Sequence, residues 1–591
     1  MMRLGAWLIV GALCSQWLSH AQQFANYTQG HEVFPHFWKP YETWHVPDAN
    51  LSNSARLQQA VVDGKLRLSM DLLIDAVVEN NLTIAAARYY PSVAQTDLLR
   101  ARSGSSPRGV DASVIPSVVF AGAVGGSILG TGAGAGGGAT NAGGITGAAG
   151  AVRVAPAGVF DPSLNLAFSI DHITSPLNSL VVAGTSTVTT TTGAVSVNYV
   201  QAFTSGTSVT VSYSFQRQGS SQATCGFSAD QRCLLYNPYL VPGFTATVSQ
   251  QMLNGFGFKV NRTLITVAEN EQKIEREAFR QQAIAALVNA KNAYWDLVAA
   301  KESVRAAAEA LRASQQLAEN SRKQFEIGTM AQLDVVTAEA QVAANQRDLI
   351  VAETNVQNAE LQLKSMFTKS LDEPLASAPI DTVDPFPEPK NFRIPALEEA
   401  VKTAKQNRPE IPIAEGNIKS QQDVLPFLKN TLLPKLNLFG LVSTVGLYNV
   451  FGTSFSEAVH FQYPQFAFGM TLSFPIRNRQ AQADTVRAQL ELDQAKDTLA
   501  RTDRQVEIDV KNAVIANTQS SAQVAAARET VRLEQQKLDA EQQKLNTGLS
   551  TAYNVVLLQR DLLAAQLAEV QALDTYAKAQ VTLDQAMGVM L

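Results

Sequence analysis

The sequence predicts an α+β membrane protein, with the strands of a β-barrel wall continued by a long α-helical coiled coil. Three observations carry this. Short stretches alternate apolar and polar side chains with a period of two, as half-exposed strands do. Two stretches of about 68 and 67 residues keep a helical period with no proline. The order of strands, long helix, turn and shorter helix occurs twice along the chain.

At the N-terminus, Arg3 supplies a basic start and residues 4–18 a short apolar core. Ser19, His20 and Ala21 form a site of the kind a signal peptidase cuts, so residues 1–21 are expected to be a signal peptide cleaved after Ala21. The apolar run is too short to span a membrane well. Cys14 follows Leu13 where a lipid-modified cysteine wants Gly or Ala, so lipidation is not expected. Cys225 and Cys233 then remain. An oxidising compartment is expected to join this closely spaced pair as a disulfide. The alternative, a metal pair, lacks a histidine nearby.

The net charge of -5 gives no reason to expect a nucleic-acid partner. Charged residues make up 17% of the chain, against about 25% in an average soluble protein. The deficit is local. Residues 112–258 hold six charges, Arg153, Asp161, Asp171, Arg217, Asp230 and Arg232, whereas the chain after Lys259 is densely charged. Residues 112–152 carry none but are crowded with Gly, Ala, Ser and Thr, a poor helix and a poor hydrophobe. Entry into a membrane is therefore expected only as a β-barrel.

Residues 22–66 form an N-terminal segment with His31, His36 and His45. Three histidines there could bind metal, but an extended segment lying on a folded body is the better expectation. Residues 70–102 are helical in pattern, with a break near Asn80 and Asn81. After the Gly/Ala-rich tract the period becomes two. Leu164, Leu166, Phe168 and Ile170 alternate with polar or small residues, as do Val209, Val211, Tyr213 and Phe215, and then Phe244, Ala246 and Val248. Small hydroxyl residues on the polar face, scarce charge and the export signal favour a membrane barrel over a soluble sandwich.

One helix is expected over residues 260–327 and a second over 333–367, separated at Gly328. A proline-rich linker covers residues 372–394. The order then repeats. Residues 395–427 are helical, interrupted by Pro409 and Pro412; strands follow, clearest at residues 466–474. A long helix over 481–547, a break at Gly548 and a helix over 553–587 complete the chain. The first repeat thus occupies residues 67–371 and the second 395–591. At an offset of 220, Lys291-Asn292-Ala293 matches Lys511-Asn512-Ala513, Gly328 matches Gly548, and Val335-Val336 matches Val555-Val556. One offset for matches so far apart argues for a duplication.

The long helices carry a seam of residues seven apart. Leu492, Leu499, Val506 and Ala513 form one run and Val524, Val531, Leu538 and Leu545 another, with Val304, Leu311, Ala318 and Phe325 echoing them in the first half. An eleven-residue step from Ala513 to Val524 is a stutter. Small barrels need about eight strands. Two strands in the second half and two to four in the first cannot close one, so several chains must share the wall.

This layout, from about Met70 to Leu591, resembles the TolC-like outer membrane efflux protein (outer membrane factor) family. The strongest residues are two helix-turn-helix tips, QFEIGTMAQLDVVTAEAQ over 324–341 and KLNTGLSTAYNVVLLQR over 544–560. Each has an apolar residue three before a glycine, then an apolar-[Asp/Asn]-Val group that starts the next helix. Glycine supplies the left-handed cap a sharp reversal needs.

The resemblance implies a homotrimer with one outer-membrane β-barrel of twelve strands in outer-membrane lipid, and an α-helical tunnel across the periplasm. It implies docking at the tips to a periplasmic adaptor (membrane fusion) protein, itself bound to an inner-membrane transporter of RND, ABC or MFS type. Phe325, Gly328, Leu333, Asp334 and Val335 in the first tip, and Leu545, Gly548, Tyr553 and Val555 in the second, are the expected docking or turn-packing residues. Asn554 and Leu557 occupy the positions of the family's aspartate gate, so an acidic constriction is not expected there. Asp334 favours the helix dipole more than a pore role. The Gly/Ala-rich tract and the strands over 195–215 look like an insertion. The expected function is the exit duct of a tripartite efflux system. The alternatives are the exit duct of a type I protein secretion system or a non-conducting coiled-coil spacer. No nucleotide-binding glycine loop ahead of a lysine, paired metal motif or nucleophile elbow occurs, so neither an enzyme nor a cofactor is expected.

Overall fold

A computed structural model describes residues 26–590 except 33, 34, 36, 63, 106, 108–159, 177–185, 223–233, 329, 372–374, 390–394 and 548. The signal segment, His36, nearly all of the Gly/Ala-rich tract, the Cys225 and Cys233 pair and Gly548 lie outside the described residues.

The chain is mixed helix and sheet, mostly helical. Its first part runs α1 (Ala55–Gln59), β1 (Val61–Val62), β2 (Lys65–Leu68), α2 (Met70–Asn80), α3 (Leu82–Ala87) and α4 (Tyr90–Arg102). Four strands follow: β3 (Ser163–Pro176), β4 (Thr187–Ala202), β5 (Thr207–Ser220) and β6 (Tyr239–Gln251). Then come α5 (Phe258–Asn261), α6 (Thr263–Glu326), α7 (Gln332–Phe367) and β7 (Ile380–Thr382). The rest is α8 (Leu397–Asn407), α9 (Glu410–Thr431), β8 (Lys435–Val445), α10 (Phe451–Val459), β9 (Tyr463–Ser473), α11 (Arg479–Asn546) and α12 (Ala552–Met587).

The long helices have 64 and 68 residues, about 96 and 102 Å at 1.5 Å per residue. Helix α7 packs on α6, and α12 packs on both α6 and α11. The seam residues mostly turn inward. Val506, Ala513, Val524 and Leu538 are buried, with Val506 and Ala513 against Ala400, Ile411 and Leu583. Phe325, at the end of the first seam, is exposed instead.

The short helical region breaks where expected and once more. Asn81 ends α2, and its side chain accepts from the Ile84 amide at 3.1 Å to cap α3. A second interruption at Arg88 and Tyr89 starts α4, with Pro91 in the first turn, where its missing N–H costs nothing. Pro409 caps α9 as a break should, but Pro412 lies in its first turn without interrupting it, and Pro426 sits inside that helix, which runs on past Phe427.

The linker region is more ordered than its prolines suggest. Ile380–Thr382 lies parallel to Lys65–Leu68, making a three-stranded sheet in the order β1-β2-β7. Leu66, Leu68 and Ile380 point into the largest core cluster with Leu287, Leu297 and Tyr294 of α6. Tyr294 is fully buried. Its hydroxyl accepts from the Asp384 amide at 3.2 Å and lies within donating distance of the Asp384 carboxylate and the Leu68 carbonyl. Tyr294→Phe is expected to lower stability by about 1 kcal/mol, because it leaves the half-buried Asp384 amide without this partner. Thermal unfolding in detergent measures this, and an unchanged midpoint would show that the hydroxyl is not a fastening point.

The extended N-terminal segment does lie on the body. The Tyr27 amide donates to Gln95, and Asn53 bonds Ser370 and the Lys369 amide. His31 stacks on Trp44 at 4.1 Å.

The second sheet has six antiparallel strands in the order β3-β4-β5-β6-β8-β9. Its pairing register keeps the two faces separate across every strand. Leu164, Tyr199, Val211, Ala246, Val442 and Phe466 are successive neighbours on one face. Asn165, Asn198, Ser212, Thr245, Ser443 and Gln465 are successive neighbours on the other. Helix α10 lies against the apolar face, with Phe451 against Phe215 and Phe455 against Tyr213 and Phe244. The six strands of this sheet among the described residues differ from the four per chain that a twelve-stranded trimer requires. Among the described residues no helix is long and apolar enough to cross a membrane.

Candidate functional site

Each of the two helix reversals closes on carbonyls of the helix it leaves. At the first, α6 ends at Glu326, and the Ile327 and Gly328 amides donate to the Lys323 and Phe325 carbonyls at 3.3 and 2.9 Å. Gly328 has φ +75°, and a Cβ built there would meet nothing within 4 Å. Its constraint is therefore backbone conformation, not space. Helix α7 starts four residues later with Asp334 in its first turn, where a carboxylate favours the N-terminal dipole. An exposed Arg322–Glu339 ion pair ties the two helices near the turn.

At the second, the Thr547 and Leu549 amides close the end of α11 on the Gln543 and Lys544 carbonyls. The Ser550 hydroxyl donates to Glu541, and Asn554 Nδ2 donates to that hydroxyl at 3.3 Å. The Ser550 hydrogen bond and the Lys544 ammonium hold the Glu541 carboxyl below its usual range. This polar chain pins the turn to the helix it leaves.

Beneath the turns, Leu317, Ala338, Leu538, Val555 and Leu562 form one buried cluster with Leu545 packed against it. Val335 is buried as well. The structure thus sorts the expected tip residues. Val335 and Val555 are buried and Leu545 is half-buried, so all three pack the tips. Phe325 (43% exposed), Leu333 (75%) and Tyr553 (60%) do face outward. Ile327 (74%) and Leu549 (80%) join them, and the sequence pattern did not single these out. Each sits beside its glycine, at the very end of a long helix, which is the signal that would have found it. Asn554 and Leu557 are exposed, three apart on the first turns of α12. Among the described residues no group of His, Cys, Asp or Glu is placed to hold a metal ion.

Comparison with known proteins agrees with this layout. Residues 207–367 and 400–589, more than half of the chain, match the family model described as outer membrane efflux protein. Over 287 residues the chain is 24% identical to Nodulation protein T of Rhizobium leguminosarum bv. trifolii, covering 47% of this chain and 57% of that protein. The match therefore spans a little over half of that relative's length. The fold is similar to the Campylobacter jejuni CmeC outer membrane channel, at TM-score 0.56 and 15% identity over 93% of this chain and 94% of that one. It is also similar to the Vibrio cholerae outer membrane protein VceC, at TM-score 0.54 and 14% identity over 91% and 99%.

Proposed function

The chain belongs to the outer membrane efflux protein family, and we propose that three copies of it form the exit duct of a tripartite efflux machine. One observation carries this reading: a sheet with one apolar and one polar face and, among the described residues, two open edges continues into helices about 100 Å long. Outside the patch covered by α10, the apolar face meets outer-membrane lipid, and the polar face lines a water-filled lumen. Residues 67–371 and 395–591 act as two repeats of one unit, joined by the segment 372–394 and preceded by a leader over 1–21. The helices cross the periplasm.

Large apolar side chains exposed together at a tip mark a protein contact. Phe325, Leu333 and Tyr553, with Ile327 and Leu549, dock a periplasmic adaptor, which is bound to an inner-membrane transporter of RND, ABC or MFS type. Gly328 and Gly548 allow the reversals, while Val335, Leu545 and Val555 hold them packed. Asn554 and Leu557 line the narrow periplasmic mouth. The transporter supplies the energy; the duct supplies a route.

An open sheet edge in lipid leaves backbone groups unpaired at a cost of several kcal/mol each. The protein in mild detergent is therefore expected to show the mass of a homotrimer, and a folded monomer by native mass spectrometry would remove the tubular reading. Planar-bilayer recordings of the same sample separate a duct from a spacer. Conducting events are expected, with Asn554→Asp shifting selectivity toward cations. A silent bilayer would favour a structural role.

A further inference from the structure

We infer that the β3–β4 hairpin is part of the membrane wall, and that β3 of one copy of this chain pairs with β9 of the next. This rests on the multichain barrel proposed above. It changes which edges meet and how wide the barrel is.

The stretch matched to the family begins at residue 207, the first residue of β5, so β3 and β4 lie ahead of it. A barrel closed by the matched strands alone would need a free edge on β5. That edge is taken: β4 pairs with β5 antiparallel from Thr190–Ser220 to Ala202–Ser208. Among the described residues the free edges of the sheet are β3 and β9.

The added hairpin also obeys the two-faced pattern of the rest. Leu164, Leu166 and Phe168 stand opposite Tyr199, Val197 and Val195, which stand opposite Val211, Tyr213 and Phe215. A slip of one residue would reverse the faces. No such slip occurs, so the lipid-facing and lumen-facing surfaces run unbroken from β3 to β9. A hairpin folded outside the wall would need no such agreement.

Both edges are long and half apolar; β3 carries one charge, Asp171, and its one proline, Pro176, is at its end. Every residue of β3 is exposed, and Leu166 and Phe468 are 73% and 82% exposed. Strand β9 carries no charge, and its one proline, Pro464, is at its start. Edges meant to stay open carry charges, prolines or bulges. Direction fits as well. Six antiparallel strands leave β3 and β9 running opposite ways, so one copy's β9 meets the next copy's β3 antiparallel. Three copies then make a wall of eighteen strands. Barrel diameter grows roughly in proportion to strand number, so the lumen is about 1.5-fold wider than in a twelve-stranded wall.

Disulfide trapping tests this in the full chain, with Cys14, Cys225 and Cys233 replaced by serine. One chain does not set the offset between copies, so a grid is needed. Asn165→Cys, Ala167→Cys or Ser169→Cys in β3 is combined with Gln465→Cys, Ala467→Cys or Thr471→Cys in β9. All six lie on the polar face, and each single variant is first checked for native trimer mass. Oxidation in isolated outer membranes is expected to give linked dimers and trimers for at least one β3–β9 combination. A control grid joining Thr210→Cys, Ser212→Cys or Ser214→Cys in β5 to the same β9 positions is expected to give none. Links from β5 to β9 without links from β3 would overturn the inference and leave the trimer intact. A trimer in which neither grid links overturns it too. A monomeric mass for the unsubstituted protein would sink the multichain barrel itself.

Discussion

Glu271→Gln is expected to raise the melting temperature of the detergent-solubilised protein at pH 8 and to leave it almost unchanged at pH 4. Glu271 and Glu275 of α6 are buried beside Asp97 of α4, and neither glutamate carboxyl has a hydrogen-bond partner among the described residues. Burial, then the neighbouring charges of Glu275 and Asp97, pushes the Glu271 carboxyl up from 4.5 to about 8. Burial, then Asp97, pushes Glu275 up to about 7. The folded state therefore holds protons that the unfolded state has released. Stability from this site is full below pH 4.5 and falls as pH rises through 7 and then 8. One unit is about 1.4 kcal/mol; with relaxation of the surroundings, the loss at Glu271 is on the order of 3 kcal/mol. A glutamine keeps the shape and cannot ionise, so the variant should lose most of this pH dependence. Equal melting temperatures for the parent at pH 5 and pH 8 would show that these carboxyls are paired in the assembled protein.

Nothing in the sequence announces that cluster. Glu271 and Glu275 are four apart on a charged helix, a spacing that reads as a solvated face, and Asp97 is far away in the chain. Periodicity did locate the long helices to within a few residues, because a single apolar stripe of that length has few other solutions. It also located β5, β6 and β9. Strand β4 was only half legible. Its first half is Thr187, Val188 and a run of four threonines, which offers hydroxyl groups to both faces and hides the alternation until Val195. Strands β2 and β7, of 4 and 3 residues, are too short to show a period, and only the packing of Leu66 and Ile380 under α6 makes them strands. At the tips, the offset of 220 equates Phe325 with Leu545, each three residues before its glycine. One is exposed and the other packs against the inner cluster. That difference depends on how four helix ends meet, which a repeat within one chain does not encode.

Changing the exposed side chains of both tips is expected to abolish transport while leaving the duct assembled. Leu333→Ser with Tyr553→Ser removes two of the largest outward apolar surfaces and touches no residue of the buried cluster beneath. Surface changes of this kind leave stability within about 0.5 kcal/mol. If the tips dock an adaptor, each lost anchor weakens binding by about 1–2 kcal/mol, so the pair should reduce affinity at least tenfold. Cells carrying the variant should export no more than cells lacking the protein, with normal amounts of trimer in the outer membrane. Gly328→Val attacks the same surface by another route. Its φ of +75° is one that a β-branched residue resists, at a cost of about 1–3 kcal/mol, and the open space around it means that no clash adds to the strain. The turn should change shape locally and misplace Phe325, Ile327 and Leu333 together. Val555→Ser is the contrasting case. It puts a hydroxyl into the cluster shared by Leu317, Ala338 and Leu538, so it should lower stability first and transport only as a consequence. Normal efflux and normal adaptor affinity in the Leu333→Ser/Tyr553→Ser protein would mean that the exposed tips are not the docking surface, and that the partner must be sought along the flanks of the helices instead.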